Sequence, residues 1–371
     1  MSITVFTMTH KKFEVPPDPL YCPLQVGSAV SEDLGYLRDD TGENISDRNC
    51  YYSELTGLYW IWKNVKNLDY VGTCHYRRYL INDRGYIFSR REYEELLKRY
   101  DLITTRKVLL NNSYHYGFAA NHNIVALDVT GEVIREIYPE YYDTFIQLVN
   151  GPQTYFGNIF VTSKKHFDAY CEWLFTIFAE VQKRIDMETD HDAYHRRVFG
   201  FISEFLLYVW VSVQGLSVYE CKVGMLGEKA ETREIKEQLS RYLKNHQIAE
   251  AKEYFMEQHK MRPDILMEAS DITGELHLAM QMIATADAEE KRGEECILSR
   301  EDDFARLVEI FAALNRAVTN FSMGQETAID RETVGGNLIS PTAIEIAVTI
   351  LPNCKMGKTE LLTRIMEGRE T

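Results

Sequence analysis

A short apolar run, Tyr70 to Cys74, stops abruptly in His75, Tyr76, Arg77 and Arg78. An imidazole and two guanidiniums at the end of a buried strand suit a phosphate or diphosphate. Guanidinium takes phosphate oxygens in pairs, and ligands of open α/β sheets sit outside the carboxyl ends of the strands. If the chain stays extended, His75 and Arg77 point to one face and Tyr76 and Arg78 to the other. The alternative is structural: an arginine paired with a nearby carboxylate and a hydrogen-bonded core histidine. A second chemistry-bearing residue is an acid. Residues 198–213 are apolar around the whole helical circumference and hold one charged side chain, Glu204. A buried carboxylate is costly unless it is paired or protonated. One raised toward neutral pKa can serve as a general base, and the competing explanation is a bridge to Arg196 or Arg197.

The elements that must position these groups follow from pattern and punctuation. Ile3 to Met8 alternates as a strand and gives way to Thr9, His10, Lys11 and Lys12, a second basic strand end. Pro16, Pro17 and Pro19 break the chain, and a turn-rich stretch carries Asp39, Asp40, Thr41 and Asn44, side chains that ordinarily bond their own backbone. A helix starts near Glu54, capped by Asn49 or Ser53, with Leu55, Leu58, Tyr59 and Trp62 on one face. Ser89 and Glu92 form a capping-box pattern, and Leu102 to Thr105 reads as a strand. Residues 121–150 read as two helices, the second opened by Pro139. Residues 154–163 read as one strand with Gly157 and Asn158 inside it, and Ser163 caps the helix that follows. From Glu228 on the pattern is helical, roughly 229–245, 247–259, 264–284 and 299–320, punctuated by Pro263, Gly293 and Gly335-Gly336.

Composition divides the chain in the same place. Of the 44 aromatic residues, 38 lie before residue 228, so an α/β body, residues 1–227, is followed by an all-α C-terminal domain, 228–371. The net charge is −15, with 18 basic against 27 acidic residues from 228 onward, so neither part carries the basic surplus of a nucleic-acid binder. Seven cysteines, odd in number and without a C-x-x-C pair, argue against a disulfide framework or zinc ribbon and for a reducing compartment. No apolar run reaches the ~20 residues of a membrane span, and the first residues lack a signal-peptide layout. The expectation is a cytoplasmic protein, with peripheral association at the inner face of the membrane left open. Asn353 to Glu360 is similar to a phosphate loop, but Pro352 stands where the earlier glycine belongs.

Six strings, in this order, carry a family resemblance: YCPLQVGSAV, LRDDTGENIS, ELTGLYWIWKN, YVGTCHYRRYL, GNIFVTSKKHFDAYCEWLF and RVFGFISEFLLYVW. Over residues 3 to about 222 the chain resembles the glycosyltransferase-like proteins of bacterial capsular and exopolysaccharide gene clusters, long known as a domain of unknown function. The resemblance implies a GT-A-like nucleotide-sugar fold, a mixed sheet flanked by helices. It also implies transfer of a sugar, galactose or galactofuranose in some relatives, from a UDP-sugar to a glycan or lipid-linked glycan. In the family the helix motif usually reads S-E-R, whereas here it is Ser203, Glu204, Phe205. Many GT-A enzymes carry a metal-binding D-x-D at the central strand end. This chain has HYRR there, so Arg77 and Arg78 could supply the charge a metal otherwise supplies. Its one literal D-x-D, Asp190 to Asp192, reads as a solvated loop, leaving a divalent cation, manganese or magnesium, as an open question; no organic cofactor is expected.

The reading that results is an inverting glycosyltransferase with Glu204 as general base. Thr7, His10, Lys11, Asp39, Asp40, His75, Arg77 and Arg78 bind the donor, and Asn158 meets the acceptor. A retaining reaction is the enzymatic alternative. From another class comes a noncatalytic nucleotide-sugar or glycan-binding subunit, with the helical domain as its arm for assembly or oligomerisation.

Overall fold

The computed structural model describes residues 1–188, 193–266, 270–352 and 357–370. It divides into two compact units, Met1–Gly227 and Glu228–Thr371. The first is mixed α/β. Its strands are β1 (Ile3–Thr9), β2 (Tyr21–Gln25), β3 (Leu37–Arg38), β4 (Tyr70–His75), β5 (Arg78–Ile81), β6 (Leu102–Thr105), β7 (Val108–Leu109), β8 (Gln153–Thr154), β9 (Phe160–Ser163) and β10 (Val218–Met225). β1 runs parallel to both β2 and β4, and β3 extends the parallel edge beyond β2. On its other side β4 pairs antiparallel with β9, β9 with β6, and β6 parallel with β10, which pairs antiparallel with β5. β7 and β8 form a separate two-stranded ribbon.

Strand alternation sorts the side chains into two layers. Phe6, Met8 and Val71 lie in one core with helices Leu55–Asn64, Lys164–Val181 and Val198–Gln214. Ile3, Val5 and Cys74 lie in another with Tyr93, Leu96 and Leu97 of helix Arg90–Leu97. β4 thus sends Val71, Thr73 and His75 toward the larger helical layer. Local signals act where they were expected: Ser89 and Glu92 form a capping box, Pro139 opens its helix, and the Ser163 hydroxyl accepts from His166 N.

Two expected strands differ from the structure. The chain does not stay extended past His75. Tyr76 and Arg77 make a two-residue turn, and Arg78 returns in β5 directly opposite His75. Directly opposed residues of an antiparallel pair share a face, so His75 is grouped with Arg78 and not with Arg77. The segment 154–163 breaks between β8 and β9 because Gly157 and Asn158 both take positive φ, 93° and 50°, which no regular strand allows.

In the second unit the described elements are helices and 3-10 turns around a core of its own. Its third long helix runs Glu275–Arg292, not 264–284. Asp271 accepts from the Leu276 and His277 N–H groups and starts the helix there, and Gly293 ends it with φ 69°. Because each unit buries its own core, a chain ending shortly after Gly227 is expected to give a single cooperative thermal transition by circular dichroism. A non-cooperative melt would show that the first unit depends on the second.

Candidate active site

The parallel strands β1, β2 and β4 end on the same edge of the sheet, and this edge carries the basic groups. Tyr76 lies between His10, whose ring meets it edge-on at 5.6 Å, and the Arg77 guanidinium, 5.6 Å from the tyrosine ring centre. Arg77 is more than nine-tenths buried. Its Nη1 donates to Gly227 O at 3.3 Å, and its Nε lacks a partner among the described residues. Arg78 is half-buried, and among the described residues no carboxylate pairs with it. Its Nη1 lies 3.7 Å from where a β-carbon on Gly157 would sit.

That turn, Gly157-Asn158, joins the strand end to the long apolar helix. His75 Nε2 meets Gly157 O at 2.6 Å, and because a carbonyl only accepts, Nε2 carries the proton. Gly157 N donates to Glu204 Oε1 at 2.8 Å. One residue, Gly157, therefore links the imidazole to the carboxyl through its carbonyl and its N–H. Burial pushes the His75 pKa down, with Arg78 and Arg77 adding to the effect and Glu54 opposing it, so the ring is neutral.

Helix Val198–Gln214 is buried on all sides but one. From Val198 to Val211 only Phe201, Glu204 and Tyr208 keep partial exposure, three and four residues apart, so they form one stripe with Glu204 at its centre. The expectation of a helix buried all round is corrected by this stripe. Glu204 has no salt bridge among the described residues. Arg196 pairs with Glu188 at 3.2 Å, and Arg197 lies over Tyr194 and Phe201. Crowding by protein, then the neighbouring Glu54 carboxylate, push the Glu204 pKa up to about 8, against Arg78, the Gly157 N–H and Arg197. Phe205 stacks on Tyr114 at 4.3 Å in the core, and the guanidiniums that act on Glu204 are those of Arg78 and Arg197.

Four expected site residues prove to be committed elsewhere. Thr7 is buried, with its hydroxyl 3.4 Å from Cys74 Sγ. Asp39 is fully buried, and its two oxygens take hydrogen bonds from Gly27 N, Ser28 N, Ser46 Oγ and Thr56 Oγ1. Four donors fill a carboxylate's capacity, so Asp39 ties the β3 end to helix Leu55–Asn64 and has nothing left for a donor sugar. Asp40 is held by Arg38 at 2.6 Å, which keeps its pKa below the usual carboxylate range. Asn158 is buried, and its side chain is spent on Glu54 Oε1 at 2.6 Å, Gly200 O at 3.2 Å and Ser203 Oγ at 3.1 Å, so it is no acceptor contact. Asp39→Ala is accordingly expected to cost about 2 to 4 kcal/mol of stability by stranding buried donors. The fall would be read as a lower urea midpoint, with nucleotide affinity per folded molecule unchanged.

Glu54 is the residue the sequence reading missed. An acid before the first turn of a helix is ordinary by the helix dipole alone, so no local signal sets it apart. The D-x-D at Asp190 to Asp192 and the first half of the phosphate-loop-like stretch, residues 353–356, lie outside the described residues. Among the described residues no three His, Cys, Asp or Glu side chains converge to hold a metal, and no helix is long and apolar enough to cross a membrane.

Comparison with known proteins agrees with a transferase. No curated protein matches the chain. A solved structure, the WbbM bifunctional glycosyltransferase in its apo form, is similar with a TM-score of 0.55 and 28% sequence identity, over 62% of this chain and 46% of that one. The chain thus spans about half of that larger protein, and the similarity supports a glycosyltransferase-like function. The DUF4422 family, described as a domain of unknown function, matches residues 4–215, and with more than half of its length covered the chain belongs to that family.

Proposed function

We propose that the protein is a GT-A-like glycosyltransferase that moves a sugar from a UDP-sugar to a hydroxyl of a glycan acceptor, with inversion, in the synthesis of a capsular or exopolysaccharide. Galactose or galactofuranose is the sugar the family resemblance favours. The observation that carries the reading is Glu204: an acid with no cationic partner among the described residues, half-open on an otherwise buried helix, opposite a guanidinium and a neutral imidazole. A sugar hydroxyl attacks only as its proton is taken, and a carboxyl near neutral pKa does this best. Arg78 and Arg77 stabilise the charge that grows on the departing diphosphate. Among the described residues no three ligating side chains converge for a metal, and no step is routed through one. Phe201 and Tyr208, on either side of Glu204, offer aromatic surface to the acceptor rings. The helical unit contributes support or assembly and no reacting group.

The test is a thermal-shift screen of UDP-, GDP- and dTDP-sugars with and without Mn²⁺, because a ligand that binds only the native state raises the melting temperature with its concentration. A UDP-sugar is expected to stabilise the protein and to be consumed on addition of a glycan acceptor. Stabilisation without transfer to any acceptor would favour the noncatalytic binding subunit, and stabilisation by none of the three would overturn both readings.

A further inference from the structure

Glu54 stands where two long-range connections meet. Its Oε1 accepts from Asn158 Nδ2 at 2.6 Å, and Asn158 in turn is held by Gly200 O, by Ser203 Oγ and, through its own carbonyl, by the Thr73 hydroxyl at 2.9 Å. Asn158 is the second residue of the turn whose first residue, Gly157, bonds both His75 and Glu204. The backbone is strained at this point. Of the three non-glycine residues with positive φ among those described, two are Ser53, next to Glu54, and Asn158. Ser53 has φ 49° and ψ −129°, and its buried hydroxyl has no partner among the described residues. It lies 3.4 Å from where a β-carbon on Gly200 would sit, an ordinary packing distance. Such conformations persist only where the surroundings force them. Here the surroundings deliver one side chain, Glu54, to the turn that carries the Glu204 hydrogen bond.

The charged and titratable groups that act on Glu204 among the described residues can be placed by element. The segment before helix Leu55–Asn64 brings Glu54, the β4–β5 hairpin brings His75 and Arg78, and Arg197 precedes helix Val198–Gln214, which carries Glu204. Tyr114 from the neighbouring short helix donates to Phe201 O at 3.3 Å, and Tyr170 from helix Lys164–Val181 donates to Ser203 O at 3.4 Å. Helix Pro139–Val149 packs with the uncharged Phe145 against Phe205. One turn further along the helix, Lys107, paired with Glu220, lies over Tyr208; of the described carboxylates Glu54 is the one that acts most strongly on Glu204.

We propose that Glu54 is the positioning residue of this site: through Asn158 it fixes the Gly157-Asn158 turn, and as a second carboxylate near Glu204 it adds to burial in making Glu204 a proton acceptor for the attacking hydroxyl. The role rests on the reading of Glu204 as the base. It assigns the two acids different work. Glu54 stays engaged with the turn, and Glu204 exchanges its proton.

The experiment is the titration of Glu204 in the full chain, followed by its carboxyl band in infrared difference spectra and assigned by the loss of that band in Glu204→Gln. The band is expected to titrate near pH 8 in the parent. In Glu54→Gln the midpoint is expected to fall by about one pH unit or more, because a like charge has been removed. The acidic limb of the transfer rate should fall with it. Glu54→Asp, which keeps the charge but withdraws it by one carbon, should move the midpoint less, and it serves as the readout if the glutamine variant does not fold. A purely structural Glu54 would lower the rate equally at every pH and leave the midpoint in place, which overturns the proposal. A Glu204→Gln protein with parental transfer would overturn the base reading itself, whereas an inactive one combined with an unmoved midpoint would sink the role of Glu54 alone.

Discussion

Glu204→Gln is expected to bind nucleotide sugar as the parent does, to transfer sugar roughly a hundredfold more slowly or worse, and to melt at a higher temperature in alkaline solution. The loss of rate follows because the amide keeps the shape of the carboxyl but cannot take a proton from the acceptor hydroxyl. The gain in stability follows from linkage. An unfolded glutamate titrates near about 4.3, whereas Glu204 in the native state titrates at about 8. Between those values the folded protein holds a proton that the unfolded chain has released. This group's contribution is thus fully present below the unfolded pKa and is lost as pH rises through about 8. Glutamine does not titrate, so its advantage grows across the same window and levels off above it. Its size is on the order of a few kcal/mol, reduced by the water that reaches the open side of the carboxyl. A carboxylate that bridged an arginine would show the opposite sign, with Gln the less stable protein at neutral pH. Melting temperature, donor affinity and transfer rate measured on one variant separate the two, and a stable Glu204→Gln protein that transfers normally would rule the residue out as the base.

The second large effect separates two adjacent arginines. Arg78→Ala is expected to weaken donor binding by about 2 to 5 kcal/mol, roughly 30-fold or more in Kd, with little change in melting temperature. Arg78 is half-buried, shares a face with His75 and lies against the Gly157 turn, so its removal takes positive charge from the site and little from the core. Arg77→Ala should behave differently. That guanidinium is almost wholly buried beneath the hairpin, held by Gly227 O, and its loss opens a gap in packed structure. A lower melting temperature is expected there, together with a smaller loss of donor affinity. Arg78→Lys should recover only part of the binding, because an ammonium cannot take two phosphate oxygens in the fork of a guanidinium. Isothermal titration with the nucleotide sugar found in the thermal screen gives the affinities. Equal and negligible losses from both alanine variants would return the pair to a structural role.

What the sequence by itself determined is what neighbours along the chain can enforce. Ser89 and Glu92 cap a helix because they are three residues apart. Pro139 opens a helix because its missing N–H is one the first turn leaves unbonded anyway. The strands Ile3–Thr9 and Tyr70–His75 follow from β-branched and aromatic runs, and Glu204 stands out as the one charge in an apolar helix. Tertiary structure alone decided which of these groups meet. A two-residue turn puts Arg78, and not Arg77, beside His75. Asn158 turns inward and Asp39 is filled by four donors because partners far along the chain arrive to take their hydrogen bonds. The Asn158–Glu54 bond spans 104 residues, His75–Gly157 spans 82 and Gly157–Glu204 spans 47. No local preference encodes such pairings, because an acid ahead of a helix or an asparagine after a glycine reads the same whatever lies opposite it. Burial then assigns their chemistry. A carboxyl is a saturated anchor at Asp39, where four donors reach it, and is pushed to a higher pKa at Glu204, where burial outweighs a single backbone N–H.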